Sequence, residues 1–241
     1  MGRVDRMKLH GFALLAAISL ALAGFAADAH AQRTGTRMGR NATNTQRDAN
    51  AVIVIIGNCL AQRRPGLVRR WFDLLPGSQE EHALLDSQEG DFDVCISDDQ
   101  LILGGGRLLT YSPRRLRVPT ALAMVQRALS RAPARSPVPA SADPWFAAVL
   151  NSLPPGSTVD RGSLLAQEFG HCLAVTNWAA ARDLLGARPG SPDETRAFQA
   201  LTPILGRCLP QGLTLEITPK SVREYLAEPF YHLMVAAPAA G

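Results

Sequence analysis

Apolar positions recur at steps of three and four along two separate stretches of the chain. In the later stretch Ala197, Phe198, Leu201, Ile204, Leu205 and Cys208 form one helical stripe. The earlier stretch keeps Leu84, Leu85, Phe92 and Cys95 but has Gln88 and Asp91 where Leu201 and Ile204 stand, which predicts a weaker or partly exposed helix. A shorter helix precedes each stripe. Pro65 opens one, with Leu67, Trp71, Leu74 and Leu75 on its face, and Trp178, Ala181, Leu184 and Leu185 mark the other. Both tryptophans read as core anchors. Between the helices, Ser78-x-x-Glu81 and Ser191-x-x-Glu194 each follow Pro-Gly and read as capping boxes, in which the glutamate reaches back to the N-cap amide. Pro203 should loosen or kink the later helix.

The flanks of these helix pairs also match. Residues 51–56 are a β-branched run that reads as a strand by itself. The matching residues 164–169 are helical in composition, so pairing the two stretches predicts a first helix in both. Ser112-Pro113 and Thr218-Pro219 each open a fourth helix, with Leu116, Arg117, Met124 and Val125 answering Val222, Arg223, Phe230 and Tyr231. Short extended pieces, 101–103 and 213–217, precede these helices and are expected to pair with each other as strands.

The spacing points to an internal duplication. Gly57-Asn58-Cys59-Leu60-Ala61 returns as Gly170-His171-Cys172-Leu173-Ala174, and the partner cysteines follow at 95 − 59 = 36 and 208 − 172 = 36. Asp73-Leu74-Leu75 answers Asp183-Leu184-Leu185, with a loop surplus recovered after it. Four cysteines allow three pairings, and Cys59–Cys95 with Cys172–Cys208 is the one that respects the duplication. Four free thiols are the alternative; zinc is disfavoured because no Cys-x-x-Cys occurs. With Gly-x-Cys-Leu-Ala, Asp-Leu-Leu, Pro-Gly-Ser-x-x-Glu and Cys208-Leu-Pro-x-Gly in line, the chain resembles a group of uncharacterised exported alphaproteobacterial proteins, over most of 50–130 and 160–235. That resemblance implies a secreted, disulfide-bonded helical fold and no known activity.

The expected architecture is all-α: two homologous units of about four helices, each with a strand-like segment and one disulfide. Residues 1–31 read as a secretory signal, with Arg3, Arg6 and Lys8 ahead of an apolar run and cleavage after Ala31. Residues 32–50 form a disordered leader, 51–130 the first unit, 131–143 a proline-rich linker, 144–235 the second unit and 236–241 a tail. The second unit gains an extra helix, 145–153, capped by Asp143-Pro144. The signal's apolar run is too short for a comfortable membrane span, so no stable insertion follows its cleavage. Beyond it the charge is 25 − 3 = 22 basic against 21 − 2 = 19 acidic residues, too balanced for a nucleic-acid partner.

Chemistry is sparse. After residue 31 the histidines are His82, His171 and His232. His171, beside Cys172, is the best acid–base candidate, yet the first copy has Asn58 there, which favours a structural role. Gly104-Gly105-Gly106-Arg107 offers amides to an anion but reads better as a loop insertion. Asp91, Asp93, Asp98 and Asp99 cluster around Cys95 without calcium-loop spacing. Arg69, Arg70, Arg114, Arg115 and Arg117 read as solvated faces, or as a patch for an acidic partner. No cofactor or metal is expected. The functional expectation is a periplasmic or secreted binding or scaffolding module for another envelope protein or peptide; the alternatives are an envelope hydrolase acting through His171 and a carrier of a small apolar ligand.

Overall fold

A computed structural model describes residues 49–88, 90, 94–95, 102–103, 107–108 and 113–236. The fold is mainly helical. Its elements are α1 (49–63), α2 (Pro65–Phe72), α3 (Gln79–Ser87), β1 (Ile102–Leu103), β2 (Arg107–Leu108), α4 (Arg117–Ala128), α5 (Ala147–Asn151), α6 (Arg161–Thr176), α7 (Trp178–Gly186), α8 (Pro192–Cys208) and α9 (Pro219–Ala236). The helix at 49–63 shows that β-branched content yields to context: Ile53 and Ile56 face the core while Val54 and Ile55 face outward. It also takes in residues 49 and 50, which the sequence assigns to a leader; the rest of that leader, the signal and residues 237–241 lie outside the described residues.

Both expected disulfides form, Cys59–Cys95 and Cys172–Cys208, each across a separation of 36 residues. Closing a loop of that length contributes roughly 4 kcal/mol by restricting the unfolded chain. As Gln88 foretells, α3 ends at Ser87, whereas α8 runs unbroken through Pro203 to Cys208. Pro113 opens a 3-10 turn, Pro113–Leu116, that leads into α4, while Ser112 lies outside the described residues. At α9, Thr218 and Ser221 cap each other: the Ser221 amide donates to Thr218 Oγ1 (3.1 Å) and the Thr218 amide to Ser221 Oγ (2.9 Å).

Three expectations need correction. Residues 213–217 form no strand; Leu213 and Leu215 are half-buried while Thr214, Glu216 and Ile217 are exposed, and Ser221 Oγ donates to the Glu216 carbonyl (2.6 Å), so this partial alternation carries no ladder. β1 instead pairs with β2, antiparallel, with Ile102 opposite Leu108. The extra helix shrinks to Ala147–Asn151 with no side-chain cap, so Asp143 does not start it.

Asp48–Gly241 forms one compact unit, and one core joins Ile56, Leu60, Trp71 and Leu116 to Phe169, Leu173, Leu184 and Phe230. The proline-rich segment is strapped down. Trp178 Nε1 donates to the Pro133 carbonyl (2.7 Å), and Val138 packs on the core. Within each half, the first helix crosses the fourth at the glycine of Gly-x-Cys-Leu-Ala. A Cβ on Gly57 would meet the Pro119 carbonyl carbon at 2.9 Å, and one on Gly170 the Tyr225 carbonyl oxygen at 2.0 Å. These contacts fall on matching residues, since 225 − 119 = 106 and 223 − 117 = 106.

Gly170→Ala should therefore lower stability by about 2–3 kcal/mol despite its better helix propensity. Gly206→Ala, whose Cβ would meet nothing within 4 Å, should gain up to about 1 kcal/mol. Urea titration of the two variants checks both signs.

Candidate functional site

Each Pro-Gly-Ser turn positions a carboxylate. Ser78 Oγ accepts from the Glu81 amide (3.1 Å) and Ser191 Oγ from the Glu194 amide (3.2 Å), as the capping boxes require. The glutamates reach one residue further back than expected. Glu81 Oε2 accepts from the Gly77 amide and Glu194 Oε2 from the Gly190 amide, both at 2.6 Å. The N-cap amides are already bound, to the carbonyls of Leu75 and Arg188 (both 3.1 Å). Gly77 and Gly190 lie at φ 76° and 75°, where a side chain would be strained.

The second oxygen of each glutamate holds a buried arginine from the fourth helix. Arg117 Nη1 donates to Glu81 Oε1 (2.6 Å) and Arg223 Nη2 to Glu194 Oε1 (2.6 Å). Both guanidinium groups also cap the end of the second helix, Arg117 at the carbonyls of Trp71 (3.2 Å), Phe72 (3.3 Å) and Leu74 (2.8 Å), Arg223 at those of Leu185 (3.1 Å) and Ala187 (2.9 Å). Arg117 alone holds a further carboxylate, across the halves: Nε donates to Glu228 Oε2 (2.8 Å) and Nη2 to Glu228 Oε1 (2.5 Å). Burial by itself pushes Arg117 down, but Glu228 and Glu81 outweigh it and raise its pKa. Burial likewise pushes Glu228 up, yet the Arg117 charge holds it below the usual carboxylate range. Glu194 is held low against burial by the Gly190 amide and Arg223.

Among the residues singled out from sequence, Cys59, Cys95, Cys172 and Cys208 are consumed in disulfides. His171 is buried and its Nε2 lies 3.0 Å from the Ala142 carbonyl, which only accepts, so Nε2 carries the hydrogen and ties α6 to the strap. Its burial lowers its pKa more than the Ala142 contact, Asp143 and Glu168 raise it. At the matching place Asn58 is exposed and bonds to the Val54 carbonyl of its own helix (3.0 Å). His82 is exposed, and His232 stacks on Trp145 at 4.0 Å. Arg69, Arg70, Arg114 and Arg115 are exposed, but Arg117 is only 5% exposed and leaves the proposed patch. Gly104–Gly106 and Asp91, Asp93, Asp98 and Asp99 lie outside the described residues. Sequence reasoning missed the Glu–Arg pairs and Glu228; an arginine held at one place in both copies' apolar helices was the available signal.

An open trough of about 720 Å³ lies between α7, α8 and the end of α4. Its floor is small, with Ala179, Ala180, Ala197 and Ala200, and its rim carries Arg182, Asp183, Asp193 and Arg196. No known family, curated protein or solved structure matches this chain. Among the described residues no cluster of His, Cys, Asp or Glu is placed to hold a metal, and no helix is long and apolar enough to cross a membrane.

Arg117→Met should cost about 3–5 kcal/mol, because it removes the arginine that holds the buried Glu228 and one of the donors to Glu81. Glu228 and Glu194 have lowered folded-state pKa values, so their contribution is present above about pH 4.5 and lost as pH falls through those values; denaturant midpoints from pH 6 to 3 read it. His171 adds a separate slope. Folding holds its imidazole neutral, so stability present above pH 6.5 declines below it. His171→Asn should flatten the change in melting temperature between about pH 7 and 5.5.

Proposed function

We propose that the protein is an exported binding or scaffolding module built from two copies of a four-helix unit, and that a helical segment of an envelope polypeptide occupies the trough. The trough carries this reading. Its alanine floor lets a partner helix approach closely, and its rim alternates basic and acidic side chains that pair with charges flanking an apolar helical face. The floor is special to the second half. By the same offsets, 179 − 69 = 110, 180 − 70 = 110 and 197 − 84 = 113, the first half places Arg69, Arg70 and Leu84 at the matching positions.

Duplication is supported by matching disulfides, matching glycine crossings and matching Glu–Arg pairs. Two disulfides in a chain this size fit an oxidising compartment such as the periplasm, in keeping with the signal-like residues 1–31 and with the resemblance to exported alphaproteobacterial proteins. The hydrolase reading has His171 as its residue, and the bond to Ala142 accounts for that side chain structurally.

A photo-reactive residue at Ala200 should cross-link one envelope polypeptide in near-stoichiometric amount in intact cells, while the same probe at Arg207 should not. Ala179→Arg should abolish the adduct without moving the melting temperature. Equal adducts from both positions, or none from Ala200, would overturn the reading.

A further inference from the structure

A second, smaller cavity lies between the two halves. This slot, about 290 Å³, is walled by Val54 of α1, Pro119, Leu122 and Ala123 of α4, and Arg223 of α9. Its counterpart lies around Arg117, walled by Gln167, Tyr225 and Glu228 in the equivalent places. The correspondences follow the repeat offsets: 167 − 54 = 113, while 225 − 119, 228 − 122 and 223 − 117 all equal 106. Around Arg117, the carboxylate of Glu228 occupies the Nε–Nη2 edge of the guanidinium. In the slot the corresponding residue is Leu122, which offers no acceptor. Arg223 is only 5% exposed, and its Nε is buried with no hydrogen-bond partner among the described residues. A buried donor left unpaired is costly, and such atoms are rare.

We propose that the slot binds a small monocarboxylate with an apolar body, whose carboxylate accepts from Arg223 Nε as Glu228 does from Arg117 and whose hydrocarbon part lies along Val54, Pro119, Leu122 and Ala123. Charge supports this. Arg117 already holds two carboxylates, Glu81 and Glu228, with Arg114 Nε 3.7 Å from Glu81. Arg223 holds one, Glu194, and Lys220 stands in the place of Arg114, since 220 − 114 = 106. Glu224 is the other acid lining the slot; burial raises its pKa, as does Glu216, against the opposing pull of Lys220. The volume is at the lower end of small-molecule sites, roughly 300 Å³ and above. The proposal gives a chemical class to the carrier reading and does not depend on the trough, whose lining residues are entirely different.

Titration calorimetry of the disulfide-bonded protein with decanoate and, separately, decanol tests it. Decanoate should bind saturably and decanol about tenfold or more weaker, since only the acid offers a charged acceptor. Leu122→Glu supplies the missing carboxylate internally; it should abolish decanoate binding while holding or raising the melting temperature. The Arg223 Nε–Hε resonance should shift with decanoate in the parent protein. No decanoate binding up to about 1 mM, equal binding of the alcohol, or undiminished binding to Leu122→Glu would overturn the proposal. None of these results bears on cross-linking from Ala200.

Discussion

The guanidinium of Arg117 is where the fold converges. It meets the carbonyl end of α2, the carboxylate that starts α3, and Glu228 of α9, while its own backbone begins α4. Four helices thus satisfy terminal or charged groups on one planar cation with a fixed fork of donors. A lysine has too few donors for this, and an apolar residue would take from Glu228 its arginine and leave Glu81 to the Trp71 indole, the Gly77 amide and the more distant Arg114. Removing charge from water is expensive, so the arrangement holds only because nearly every donor finds an acceptor.

That cation closes a ring of constraints within the first half. A glycine-scale crossing joins α1 to α4 at Gly57; Arg117 joins α4 to α2 and α3; Cys59–Cys95 returns from just beyond α3 to α1. The second half repeats the circuit with Gly170, Arg223 and Cys172–Cys208. The three links differ in physical type: steric contact, buried ion pair and covalent bond. All three act on helices that pack into the one core shared by both halves.

The helices, the disulfides and the capping serines were legible in the sequence because each is a local or repeated signal. Comparing copies corrected the β-branched run at 51–56, where one copy alone misleads. The Glu–Arg pairs are not legible in the same way, because each joins a turn to a helix further on, 36 residues away in one half and 29 in the other. Arg117 was grouped with its exposed neighbours Arg114 and Arg115, and no local rule tells a buried arginine from a solvated one. Its burial depends on Glu228, 111 residues away, a pairing only the tertiary fold creates. The strand at 213–217 failed for a related reason: alternation reports which side chains face the core, and a ladder needs a partner.

Departures from symmetry separate the frame from its openings. Where the two halves agree, at the crossing glycines, the Glu–Arg pairs and the cysteines, the residues account for the frame. The openings arise where matching positions differ. Ala179, Ala180 and Ala197 replace Arg69, Arg70 and Leu84 and leave a trough; Leu122 replaces Glu228 and leaves an apolar slot beside an unsatisfied guanidinium donor. Small side chains on a helical face, or a leucine beside a buried arginine, add nothing to stability that the other copy's residues would not add. Each exchange removes packing or a charge-assisted hydrogen bond. Both openings border the single core that the two halves share, and the braces at Arg117 and Arg223 remain in place beside them.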